Sequence, residues 1–207
     1  IMSGAFPISS AKFETLGIKS IQNTLISKSA SGKKFARQID GQRWAFTASI
    51  ITAKRSDVYG ELMAFIVKQR SGKENFTIIP PELEDAVGNE TGTVLVNGDQ
   101  SAGDTTIAID GHNNDGTHKF KAGDFIKFAS HTKVYMIMSD VTSSSQASTI
   151  TIEPPLVANI TNNSVVTYDN VPFTVYLVGD VQQFGAVGAD QEGKLYYKFE
   201  LDVEEAL

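Results

Sequence analysis

A chain of 207 residues, 41% hydrophobic and 20% charged, is long enough to bury a core as one large β domain or two small ones. Its formal charge of −6, with no basic stripe to neutralise phosphates, argues against nucleic-acid sequence recognition. The absence of cysteine excludes disulfides, thiolate nucleophiles and thiolate metal sites, and no apolar run approaches the roughly 20 residues of a membrane-spanning helix, so no membrane insertion is expected.

The first block of elements runs from Gly17 to Ile79. Lys33, Lys34 and Arg37 form the densest basic cluster, beside Ser29-Ala30-Ser31-Gly32, and read as a solvated hairpin loop. From Arg43 the residues alternate. Trp44, Phe46, Ala48 and Ile50 fall on one side, and Arg43, Ala45, Thr47 and Ser49 on the other, which describes a strand with one dry and one wet face. Ser56 is placed to cap a helix with Asp57 in its first turn, and Val58, Leu62, Met63, Phe65 and Ile66 make its apolar stripe. Ser71-Gly72 ends it. Phe76 to Ile79 is a short strand that runs into Pro80-Pro81.

Between Gly88 and Tyr168 the texture changes to short strands separated by Gly, Asp, Asn and Ser. Candidates are residues 94–97, 105–110, 125–129, 133–140, 149–153 and 164–168, a spacing that predicts a small barrel. Alternation then lengthens again. Residues 171–183 read as a strand, followed by a Gly-rich turn at Gly185, Gly188 and Gly193. In the last strand Leu195, Tyr197, Phe199, Leu201 and Val203 face inward, and Tyr196, Lys198, Glu200 and Asp202 outward. Its length matches the first block, which predicts a discontinuous host domain of residues 2–88 plus 169–207 and an inserted barrel of residues 89–168. Insertion is tolerated where the two ends of a surface loop lie close together.

Little in the chain points to chemistry. The segment Asp110 to His118 holds metal-ligand residue types, but Asp115 stands where a calcium loop needs glycine, and His112 and His118 lack the spacing of a helical zinc motif. An exposed loop is expected there, with no metal and no cofactor. No Gly-x-Ser-x-Gly elbow occurs, and Gly185-Ala186-Val187-Gly188 lacks the Lys-Ser/Thr ending of a phosphate loop. A glycosidase would need only two carboxylates, which any chain supplies. In Lys121-Ala122-Gly123-Asp124 the sequence specifies a tight turn with Gly123 at positive φ, and His131 is placed at a solvated hairpin tip. No catalytic residue is assigned.

The stretch KAGDFIKFASHTKVY, Lys121 to Tyr135, resembles a segment of the distal tail proteins of long-tailed siphophages, with a likeness to the coliphage T-five kind and to related proteins of gene transfer agents. Other parts fit the same family in chain order: the Trp44 strand, the helix after it, the strand ending in Pro80-Pro81, Gly103 to Asp110, Glu153-Pro154-Pro155-Leu156 and the final alternating strand. The resemblance implies a mainly β protein, a β-sandwich domain with one helix carrying an inserted OB-like small β-barrel. It implies a structural virion protein, not an enzyme, forming a hexameric ring that joins the tail tube to the tail tip or baseplate. Expected partners are five further copies, the tail tube protein and the tail-tip or baseplate hub protein. The expected place is the distal end of the virion tail, after synthesis in the host cytoplasm. The chain stops just after its last strand, where many relatives from phages of Gram-positive hosts continue into a carbohydrate-binding extension, so a Gram-negative host is expected. A ring needs head-to-tail interfaces. Tyr196, an aromatic on a polar face, is the candidate interface residue, with Arg37, Lys33 and Lys34 as further candidates. The alternative is a carbohydrate-binding β module contacting the host surface through loops 111–118 and 142–148.

Overall fold

The computed structural model describes residues 2–7, 12–39 and 41–207. The first portion supplies β1 (Met2–Ala5), β2 (Phe13–Ile21), β3 (Thr24–Lys28), β4 (Lys34–Gln38) and β5 (Arg43–Lys54). A π-helical turn at Arg55–Tyr59, helix α1 (Gly60–Lys68) and β6 (Asn75–Ile78) follow. The middle contributes β7 (Leu95–Val96), β8 (Thr106–Asp110), β9 (Phe125–Phe128), β10 (Val134–Ile137), β11 (Ala147–Glu153) and β12 (Val166–Thr167). The chain ends with β13 (Phe173–Leu177), β14 (Gly185–Ala189) and β15 (Leu195–Glu205). The fold is mainly β, a β-sandwich with one α-helix and an inserted small barrel.

The larger sheet has the order β1-β6-β13-β15-β5-β2, with β14 added to β15. Its organiser is the pairing of the two most regular alternating segments: β15 runs antiparallel to β5, with Phe199 opposite Ile50, Leu201 opposite Ala48 and Val203 opposite Phe46. That register puts the two apolar sets on one face, since a slip of one residue would turn either set to solvent. Phe46, Ile50, Phe173, Phe199 and Leu201 are buried there, and Leu62 and Ile66 of α1 pack on the same cluster. Burying each such side chain contributes about 1.5–3 kcal/mol.

Several local expectations change. The helix starts at Gly60, later than a Ser56 cap implies, because Ser56 Oγ donates to Asp57 Oδ1 and leaves the helix N-terminus without a side-chain cap. The wider π-helical turn takes its place, and it requires Gly60: a Cβ there would lie 2.7 Å from the Arg55 carbonyl oxygen. On the face of β5 expected to be wet, Ala45 and Ser49 are buried. Ser49 donates to Glu14 at 3.0 Å, and Lys198 pairs with the same carboxylate at 2.7 Å, so long side chains from both neighbouring strands roof it. Part of the Gly-rich turn is a strand: Gly185–Ala189 pairs with β15, and only the tip at Gly193 needs positive φ. Leu195, assigned to the inward set, is 46% exposed because β15 runs past the edge of the core there.

The second sheet has the order β12-β9-β10-β11-β8-β7 and is nearly closed. Its two outer strands meet where Val96 N–H donates to the Ser164 carbonyl and Val166 N–H to the Val94 carbonyl. All six segments read as barrel strands are present, in somewhat different extents. Ile107, Ile109, Ile126, Phe128, Ile137 and Ile150 fill the interior. Gly123 has φ +101°, and Asp124 closes the turn by accepting the Lys121 N–H. Two loop expectations fail. His131 is buried at the turn, its Nδ1 2.7 Å from the Tyr135 hydroxyl, because the turn folds back over the barrel end. His112 in the 111–118 loop is also buried, for a reason given below.

Entry to and exit from the barrel run side by side. Ala86 N–H donates to the Tyr168 carbonyl and Val171 N–H to the Glu84 carbonyl.

Candidate interaction surface

Three polar arrangements stand out from the two cores. The first joins the sheets. Glu205, at the end of β15, is fully buried and accepts the backbone N–H of Trp44 at 3.1 Å and of Val134 at 2.8 Å. Lys133, also buried, donates to Glu205 and, at 2.8 Å, to Gln42. Trp44 completes the junction: its indole N–H donates to the Val134 carbonyl at 2.9 Å, and its ring meets Phe125 edge-on. Burial pushes the Glu205 carboxyl up and the Lys133 ammonium down, against their mutual attraction. The pair is therefore costly to enclose, and its use is orientation: one carboxylate binds the first residues of β5 and of β10 together.

The second arrangement braces the barrel loops. Glu90 accepts N–H bonds from Thr91, Gly92 and Asn113, and its Oε2 lies 2.6 Å from His112 Nδ1. Lys119 approaches to 3.3 Å. Burial alone would raise this carboxyl, but the donors of Asn113, Gly92, His112 and Thr91 outweigh it and hold it at about 2. His112 Nε2 in turn meets Ser148 Oγ at 2.8 Å. The serine–imidazole–carboxylate order matches a hydrolase relay, yet the His112 and Glu90 side chains are both fully enclosed, and Glu90 binds the 111–118 loop, through His112 and the Asn113 N–H, to its own loop, through the Thr91 and Gly92 N–H groups. It works as a brace, and it explains the buried His112: the acid partner lies 22 residues upstream.

The third is exposed. Among the described strands, β3 and β4 pair only with each other and continue the β2–β5 ladder outward as a two-stranded hairpin whose ten strand residues are all solvent-exposed. Leu25, Ile26 and Phe35 project from it, with Ile39 just beyond, each more than half exposed. A hairpin with exposed apolar side chains on both faces gains little stability from its own domain. Lys33, Lys34 and Arg37, the sequence candidates, all lie on it, and the Lys33 ammonium sits 5.5 Å from the Phe35 ring centre. Tyr196 lies elsewhere, on β15, half-buried with Lys54 over its ring at 5.3 Å. The structure thus gathers three of the four candidates and separates the fourth.

Sequence reading singled out the hairpin's charges but not its apolar side chains. Their signal was present: Leu25 and Ile26 are adjacent, so no single face of β3 could bury both.

The barrel presents a different surface. Its exposed large apolar side chains among the described residues include Met138, Val157 and Val165, none of them aromatic, and Trp44 is buried in the junction. Among the described residues no helix is long and apolar enough to cross a membrane.

Residues 84–171 match the family model described as "Distal tail protein pb9, B domain". The matched span coincides with the barrel and the two strands of chain that lead into and out of it. No curated protein matches the chain. The match supports a phage tail structural protein, a component of the virion tail, and points to a non-enzymatic role.

Proposed function

We propose that this chain is the distal tail protein of a siphophage, assembling as a ring of six that joins the tail tube to the tail tip or baseplate hub at the distal end of the virion tail. In this reading residues 2–88 plus 169–207 form the ring domain and residues 89–168 the inserted OB-like barrel. The observation that carries it is the unsupported hairpin: apolar side chains exposed on both faces, on a chain whose barrel resembles a distal tail protein domain. Lys33, Lys34 and Arg37 belong to the proposed subunit interface, with Tyr196 as a further contact. Strand β2 ends the larger sheet, leaving one edge free of any described strand to extend toward a neighbour.

The test is electron microscopy of the purified chain alone and mixed with its tail tube protein. Sixfold rings capping tube ends are expected. Particles that remain single in the presence of tubes, with no density at tube ends, would overturn the reading.

A further inference from the structure

The hairpin carries a charge imbalance that specifies where it docks. Residues 22–39 hold Lys28, Lys33, Lys34 and Arg37 and no acidic residue, so this segment is +4 within a chain of −6 and leaves −10 on the remainder. None of the four cations forms a salt bridge with another described residue. A surface complementary to it needs exposed apolar side chains framed by unneutralised carboxylates.

One groove on the molecule has that character. Beside β14 and β15, Val178, Val181 and Val187 line a depression of about 390 Å³ with Glu200 and Asp202. The three valines are 45%, 86% and 56% exposed. Lys198 also borders it but is held by Glu14 at 2.7 Å, whereas Glu200 and Asp202 have no salt bridge to any described residue. A second groove, along Phe13, Leu16 and Leu83, fits less well: its Glu14 is already bound by Lys198 and Ser49.

The positions suit a contact between copies. The hairpin grows from the β5–β2 edge of the larger sheet, and the groove lies at β14, on the other side of β15. A head-to-tail interface joins two different patches of the same chain, and patches at opposite sides of one sheet let each copy give and receive one contact.

We propose that the β3–β4 hairpin of one copy seats in the Val178–Val181–Val187 groove of the next, with Lys33, Lys34 and Arg37 facing Glu200 and Asp202. This rests on the ring reading and names its interface.

The absence of cysteine allows a clean test. In the variant Phe35→Cys/Val187→Cys, oxidation of assembled rings is expected to give a reducible ladder of covalent oligomers reaching six. The variant Glu200→Lys/Asp202→Lys should lower the ring fraction by roughly tenfold or more, and adding Lys33→Glu/Lys34→Glu should restore most of it, as like-charge contacts are replaced by attractive ones. All six positions are exposed, and thermal melts of the monomer check that folding is retained. Wild-type rings with no ladder, and no loss on charge reversal, would overturn the docking while leaving the ring intact. Failure of the wild-type chain to form rings even with tail tubes would overturn the reading beneath it, and the docking with it.

Discussion

The chain contains two antiparallel hairpins of nearly the same make-up, and their fates are opposite. The pair β3–β4 and the pair β9–β10 each combine four- or five-residue strands, a central run of apolar side chains and at least one lysine near the turn. In β9–β10 six of eight strand residues are buried, and even Lys133 is enclosed. In β3–β4 all are exposed, and Lys33 and Lys34 reach solvent. The β9–β10 hairpin has sheet on both sides and Glu205 waiting for its lysine, whereas β3–β4 has neither. What separates a wall from an exposed arm is the neighbourhood each hairpin is delivered into, and local sequence does not encode that.

The comparison breaks most readily at Glu205. Glu205→Ala removes the acceptor of two backbone N–H groups and strands the buried Lys133, so a loss of about 3–5 kcal/mol is expected in urea unfolding. Lys33→Ala on the other hairpin should change stability by less than about 0.5 kcal/mol. Equal effects of the two would contradict the contrast.

Acid provides the next test. The Glu90 carboxyl is held at about 2 in the folded chain, below its ordinary 4.5. A carboxyl lowered on folding adds stability that is complete above pH ~4.5 and is lost as the pH falls toward 2, because the unfolded chain takes up the proton first. Melting temperature followed from pH 5 to 2 should therefore fall for the wild type, and less steeply for Glu90→Gln, which cannot titrate. Parallel slopes would show that the brace does not depend on charge. At the Gly123 turn the effect is smaller. Gly123→Val forces a β-branched residue to φ near +101° and should cost roughly 1–2 kcal/mol, although no atom crowds the added Cβ. An unchanged melt would contradict the turn's conformational role.

How far these features were visible beforehand follows from where their partners lie. The β5 and β15 alternations were legible because each declares its own inward set, and pairing then follows from burying both; the six barrel segments were legible from the Gly, Asp, Asn and Ser turns that separate them. The Glu205–Lys133 junction was not. Its members stand 72 residues apart, and a lysine beside a turn reads as solvated unless its acceptor is known. His112 was hidden in the same way, since a Gly- and Asn-rich loop looks exposed until Glu90 is brought beneath it. The basic cluster at Lys33, Lys34 and Arg37 was legible as part of an exposed hairpin, although Lys34 and Arg37 stand on β4 and not in its loop; the apolar residues beside it signalled exposure only through the adjacency of Leu25 and Ile26, because β-forming residues ordinarily mark a strand with something to cover.

The smallest effect on folding belongs to those residues, and it is the most informative. Leu25→Ser/Phe35→Ser removes two large apolar side chains that are each more than half exposed, so the monomer's unfolding midpoint should stay within about 0.5 kcal/mol of wild type. Exposed hydrophobic surface of this kind contributes free energy only when another molecule covers it, at about 25 cal/mol for each Å² removed from water. Ring formation with tail tubes, scored by electron microscopy, should fall sharply in the same variant. If the monomer instead unfolds far more easily, the hairpin is supported by its own domain after all, and the contrast with β9–β10 disappears. A variant that folds normally and still builds full rings would place the subunit interface away from the hairpin.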